Sequence, residues 1–222
     1  MEKRALKIYF AGDLFDSKDL VGNLMLAMAI EKKAGGRYQV MLPQDGECEV
    51  NERTSQSIRD ADFELLLSCD VLVANFDGHD LDSGTVVEFC FAKMVDMPAV
   101  LLRTDFRNSG DHTLPDGDPW NLMCSHYPGT KVLHINSMQH YHACRNCGLS
   151  GGALVEKFYD AIAGEVVQAL DEAVARKSFI HREQLQMQYE MAVKCMGGTM
   201  KKRLSEEKIK ALVLSKTAAG VY

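Results

Sequence analysis

Asp77, Asp80, Asp82 and Glu88 stand in one short segment, Asp77-Gly78-His79-Asp80-Leu81-Asp82-Ser83-Gly84-Thr85-Val86-Val87-Glu88. Carboxylates gathered in a loop suit a sugar, whose hydroxyls they accept hydrogen bonds from, and they repel phosphate. Glu88 is the most demanding of the four. On a helix opening at Gly84-Thr85 its face carries Gly84, Thr85, Phe91, Ala92 and Val95, none of them charged. Lys93 lies roughly 140° round that helix and is a poor partner. A glutamate in the second turn of an apolar helix must be paired, protonated or functional. Spacing alone leaves two roles open: a capping-box glutamate three residues after Thr85, or a group that does chemistry. The aspartates have an alternative role as well, since an acidic flank complements the dipole of the helix it precedes.

The elements that must position these residues alternate in type. Strand-like runs are expected at Lys7–Phe10, Tyr38–Leu42, Val71–Phe76, Pro98–Leu102 and Lys131–Ile135. Helices are expected at Lys18–Lys33, across Asn51–Ser68 and at Gly84–Asp96. The unbroken apolar run VLVANF is what a strand buried on both faces of a parallel sheet requires. Alternating strands and helices imply right-handed crossovers, a parallel sheet covered on both sides, and ligands beyond the carboxyl ends of its strands. The loops 11–17, 43–47 and 76–84 then matter most. Residues 1–142 are read as this α/β domain and residues 143–222 as a helical extension for packing or oligomerisation. In the extension Leu154, Phe158, Ile162, Val166, Leu170 and Val174 recur every four residues from Ala153 to Lys177. A second helix covers His181–Met196, and a charged tail surrounds Lys201–Lys210.

Composition narrows the function classes. The 222 residues are 46% hydrophobic and 25% charged with a formal net charge of -6, which argues against a nucleic-acid binder because phosphate contacts need a basic stripe. No run approaches the ~20 apolar residues of a membrane span. Seven cysteines in a chain this long read as reduced thiols of a cytoplasmic protein.

Several of these pieces together resemble the nucleoside 2-deoxyribosyltransferase family. They are the opening KIYFAG with Phe15, the loop Leu42-Pro43-Gln44-Asp45, the strand DVLVANFDG, the helix start Asp82-x-Gly84-Thr85-x-x-Glu88, and Trp120-Asn121-Leu122-Met123. The similarity spans roughly residues 6–140. It implies a flavodoxin-like, doubly wound five-stranded parallel sheet and exchange of the base on a 2'-deoxyribonucleoside, a salvage reaction. It further implies that Glu88 is the nucleophile forming a covalent deoxyribosyl ester, that Asp62 contacts the base and its proton, and that Tyr9 orients Glu88. Asp82 holds the sugar's 5'-hydroxyl in this reading. Gly84, Asp77, Phe15 and Gln44 are assigned to substrate binding, with Asp45 beside Gln44 in the base-recognition loop. Asn121 reaches a neighbouring subunit's site, so a homo-oligomer with shared sites is implied. The partners are a deoxyribonucleoside and a free nucleobase, with no cofactor, metal, nucleic acid or membrane.

A related branch hydrolyses deoxynucleoside 5'-monophosphates and carries serine where Asp82 stands. An aspartate there faces the phosphate without a proton to give, so Asp82 favours a free nucleoside, although Ser83 is adjacent. The competing readings are therefore a 5'-monophosphate N-glycosidase using Glu88 and, from another class, a nucleotide-sensing domain that binds without reacting. A flavin-binding flavodoxin is disfavoured because AGDLFDS lacks a hydroxyl-and-glycine phosphate cradle. His140, His142, Cys144 and Cys147 form H-x-H-x-C-x-x-C, a set that could hold zinc; the preferred reading is a His/Cys-rich junction. GLSGG at 148–152 reads as a hinge, and Met187, Met191, Met196 and Met200 as packing surface. Trp120 is open to two roles, stacking on a base or filling core.

Overall fold

The computed structural model describes residues 4–46, 54–107 and 115–222. Five strands, β1 (Leu6–Ala11), β2 (Tyr38–Met41), β3 (Val71–Asn75), β4 (Ala99–Arg103) and β5 (Thr130–His134), form one sheet in the order β2-β1-β3-β4-β5. Every pairing is parallel. This is the flavodoxin-like order, in which the chain winds outward in both directions from β1 and β3. The expected strand centres hold, with ends shifted by a residue. The expected helix over Asn51–Ser68 is described only from Ser55.

Successive strand residues point to opposite faces, so the central strands β1, β3 and β4 each feed two cores. Ile8, Phe10, Val71, Val73, Val100 and Leu102 face α1 (Ser17–Ala34) and a long helix, Gly151–Val174. Tyr9, Leu72, Ala74, Ala99 and Leu101 face the other layer. After the single turn α2 (Pro43–Gly46), that layer begins with α3 (Ser55–Ser68) and α4 (Ser83–Met94). The segment between β5 and the long helix, expected to be a junction, is a helix, α5 (Ser137–Asn146). Its His140 Nε2 lies 3.3 Å from Glu165 Oε1 and its Cys144 is buried. Among the described residues no three His, Cys, Asp or Glu side chains are grouped as a metal would need.

The long helix is α6. Ile162, Val166 and Leu170, spaced four apart along it, are buried against the sheet, beside α1. α7 (Arg182–Met196), α8 (Met200–Arg203) and α9 (Glu206–Ala219) close the second face, where Leu185, Tyr189, Val193, Ile209 and Val213 join the core of β3 and β4. Both cores thus run across the 142/143 boundary, and the extension is part of the sheet's cover. The expected charged tail is α8 and the first turn of α9. Its inner face hides a buried Lys216 that donates to Cys69 O and lies 5.4 Å over the Tyr189 ring. Burial lowers that ammonium's pKa to about 8. Among the described residues no helix is long and apolar enough to cross a membrane.

Candidate active site

The turn after β3 decides what Glu88 is. α4 begins at Ser83, and the Asp82 carboxylate caps it, Oδ2 accepting from Thr85 N at 2.7 Å and from Thr85 Oγ1 at 3.0 Å. The cap is one turn earlier than a capping box on Thr85 demands, so Glu88 sits too deep in the helix to bond its free amides. Its partner comes from the sheet: Tyr9 Oη donates to Glu88 Oε1 at 2.5 Å. Tyr9 is wholly buried and sits on the β1 face that looks at α4, so the alternation of one strand aims the phenol at the helix. Lys93 turns elsewhere, donating to Met97 O.

Glu88 lines a cleft of about 730 Å³ between α3, α4 and the end of α7. Asp62 and Gly84 line it too, as do Ile58, Arg59, Phe63 and Phe91. Phe63 and Phe91 meet edge to face, 5.0 Å between centroids, giving the cleft an aromatic side. Burial raises the Glu88 pKa to about 7; the Tyr9 hydrogen bond opposes the rise, and the charges of Asp62 and Asp82 add to it. Burial first, and then the negative Glu88, holds the Tyr9 phenol well above its ordinary value, so it remains a donor. A carboxylate whose pKa is raised to about 7, held at one oxygen by a buried phenol and lining a cleft, can act as nucleophile or base.

The remaining expected residues are distributed around this centre. Asn121 caps a 3-10 turn, Leu122–Cys124, by accepting from Met123 N at 2.9 Å. With Trp120 it lines a separate depression of about 640 Å³ on the other flank of the α4 start, and Ser83 and Val87 border both hollows. Trp120 is core: it is buried, donates to Ser125 Oγ, and packs edge to face on Phe76. Gln44 donates to Leu20 O at 3.1 Å, and Phe15 stands exposed in the loop after β1. Asp77 is not brought to Glu88. Its carboxylate accepts from Thr104 N, Thr104 Oγ1 and Asp105 N at 2.5, 2.6 and 2.7 Å, tying the loop after β3 to the loop after β4. It borders a different hollow with Asp13, which argues for a structural tether in place of the expected substrate contact.

Sequence reasoning did not single out Arg59, Phe63 or Phe91 for the cleft. Phe91 is one helical turn beyond Glu88, and Arg59 and Phe63 flank Asp62 on α3, so helical spacing from those two acids could have found them. Nothing local points to Cys195 and Met196, which also line the cleft.

Residues 8–123, just over half of the chain, match the family described as nucleoside 2-deoxyribosyltransferase. The chain belongs to that family. The match ends before β5, so α5 to α9 lie outside it. No curated protein matches the sequence. Solved structures similar to it include the following three. A conserved protein from Enterococcus faecalis V583 is 24% identical, covering 76% of this chain and 98% of its own, with a TM-score of 0.47. A 2-desoxiribosyltransferase from Leishmania mexicana is 22% identical, covering 58% and 89%, also at 0.47. A 2-deoxyribosyltransferase from Bacillus psychrosaccharolyticus is 20% identical, covering 46% and 76%, at 0.39.

Proposed function

We propose that this deoxyribosyltransferase-family protein moves the 2-deoxyribosyl group of a 2'-deoxyribonucleoside from one nucleobase to another through an ester on Glu88. The observation that carries the proposal is the Glu88 carboxylate, hydrogen-bonded at one oxygen by a buried phenol and lining a cleft opposite Asp62. In the first step Glu88 Oε2 attacks the anomeric carbon as the carbon–nitrogen bond breaks. The electron pair leaves with the base, and Asp62 supplies the proton that the departing nitrogen takes up. In the second step a nitrogen of the incoming base attacks the same carbon, Glu88 leaves as carboxylate, and Asp62 recovers a proton. Two inversions preserve the configuration, the logic of a retaining glycosidase. Tyr9 keeps the nucleophile in one rotamer and steadies its charge.

The negative charge at the mouth of the sheet favours a free nucleoside. Burial raises the Asp13 pKa, and repulsion from Asp82, Asp19, Asp16 and Asp77 raises it further, an excess of negative charge in the hollow neighbouring the Glu88 cleft that disfavours a dianion. One observation favours a second reading, N-glycoside hydrolysis of a 5'-monophosphate: Ser83 and Arg59 both border the cleft and could donate to phosphate.

Incubating the protein with a deoxynucleoside and a second free base separates the readings. A new deoxynucleoside is the expected product; free deoxyribose alone, or turnover only of monophosphates, would favour hydrolysis. Intact-mass and peptide analysis should find a deoxyribose adduct on Glu88, and Glu88→Gln should lose turnover on the order of 10⁴-fold or more. If Glu88→Gln left function intact, a binding-only sensor would be the better description.

A further inference from the structure

The family match ends at residue 123, yet two residues of the Glu88 cleft come from far beyond it, at the end of α7. Met196 is buried in the same core as Phe63 and lines the cleft with Phe63 and Phe91; Cys195 is exposed at the rim. The chain then turns sharply through Gly197 and Gly198, and this turn is clamped on α3. Asp60, wholly buried, accepts from Thr199 N at 2.7 Å and Thr199 Oγ1 at 2.8 Å. Arg59 donates to the same carboxylate and, at 2.9 Å, to Met196 O. Gly198 has a φ of +57°, and a Cβ there would stand 2.6 Å from Asp60 Oδ2. Only glycine fits so close an approach. Arg203 adds a further tie to Glu64 at 2.8 Å.

We infer that the end of α7 is the base-side wall of the Glu88 cleft, with Cys195 and Met196 as specificity-determining contacts for the nucleobase and the Gly197-Gly198-Thr199 turn as the device that holds them against α3. The inference rests on the proposed reaction for the identity of the ligand. The cleft is divided chemically. Glu88, Ser83 and Gly84 on α4 offer the polar contacts a sugar needs, whereas Ile58, Phe63 and Met196 offer an apolar slot suited to a flat heteroaromatic ring. Asp62 sits on the same helix as that slot, where a base nitrogen's proton would be exchanged. The slot's width is set by how closely α7 is drawn to α3, and therefore by Thr199 and Asp60.

Base exchange is measured with a larger and a smaller acceptor base for the full chain and for Cys195→Phe, Thr199→Val and Thr199→Ser. Cys195→Phe narrows the slot and should lower kcat/KM for the larger acceptor about tenfold relative to the smaller, the scale at which a few atoms decide fit in an apolar pocket. Thr199→Val should shift the same ratio, and Thr199→Ser, which keeps the hydroxyl, should restore it. A ratio unmoved by Cys195→Phe in an active enzyme overturns the wall. If the unsubstituted protein shows no exchange, the transfer reading fails, and alkylation of Cys195 by iodoacetamide, followed by peptide mass spectrometry, decides the wall alone. Loss of alkylation in the presence of adenine or deoxyadenosine supports it; alkylation unchanged by either overturns it.

Discussion

Burial raises the pKa of the proposed nucleophile and a hydrogen bond from Tyr9 opposes the rise, so removal of that bond should be legible in pH. Tyr9→Phe deletes a contact that favours the carboxylate against its burial, so the Glu88 pKa should climb above 7. The expected result is kcat/KM lower by roughly 10- to 100-fold at neutral pH, the scale of a hydrogen bond to a charged group, with the ascending limb of the pH profile moved to higher pH. The same shift has a stability signature. The folded state holds the Glu88 proton up to about pH 7, whereas the unfolded chain releases it near 4.5. Between those values the folded state binds more protons, so stability falls as pH rises through the window and the full deficit persists above it. Glu88→Gln removes the deficit. Thermal unfolding at pH 8 should show a Tm raised by about 2–4 °C, equivalent to about 1 kcal/mol after allowance for the side chain's contact with solvent, and little change at pH 4.

Two functions meet at the first turn of α4, and substitutions at Asp82 should separate them. Asp82→Asn keeps a capping side chain and removes a charge that raises the Glu88 pKa, so the helix should hold while the ascending limb of activity moves to lower pH. Asp82→Ala loses both, and should also cost about 1 kcal/mol, seen as a Tm lower by about 2–4 °C. The role assigned to Asp82 from the family resemblance, binding the sugar's 5'-hydroxyl, is compatible with this geometry, because only Oδ2 accepts in the cap. Asp77 differs: its two oxygens hold the neighbouring loop, so Asp77→Ala should act chiefly through stability.

At the scale of the whole molecule, the region outside the family match is structural cover as well as proposed wall. α7 and α9 bury Leu185, Tyr189, Val193, Ile209 and Val213 on the second face of the sheet, and α6 buries Ile162, Val166 and Leu170 on the first. Truncation after residue 180 would expose one of the two faces. Loss of this much apolar burial outweighs the marginal stability of a domain, so the truncated chain should be insoluble or bind a hydrophobic dye. The full chain should unfold in one transition followed by circular dichroism and by Trp120 fluorescence together, because the central strands β1, β3 and β4 feed both cores.

The alternation of strands and helices was legible in the order of residues because burial on both faces demands unbroken apolar runs and short crossovers, and those are local patterns. Glu88 stood out for a local reason too, an acid with no charged neighbour on its helix. The sequence left its role open between cap and chemistry, since position in a helix depends on where the helix begins, and one turn separates the two. That turn is fixed by Asp82 taking the cap, and the partner at Glu88 is fixed by which way β1 is faced. α9 was hidden because its inner face mixes Ile209 and Val213 with Lys216, a lysine that a carbonyl, an aromatic ring and the charge of Asp70, all contributed by distant segments, make tolerable. Cys195 and Met196 reach the cleft through contacts that span more than 130 residues, which no spacing in the chain encodes. What the residues determined alone was the kind of layers and the acid that matters; what the tertiary structure decided was that acid's partner, its proton and the walls around it, because each of these comes from a different part of the chain.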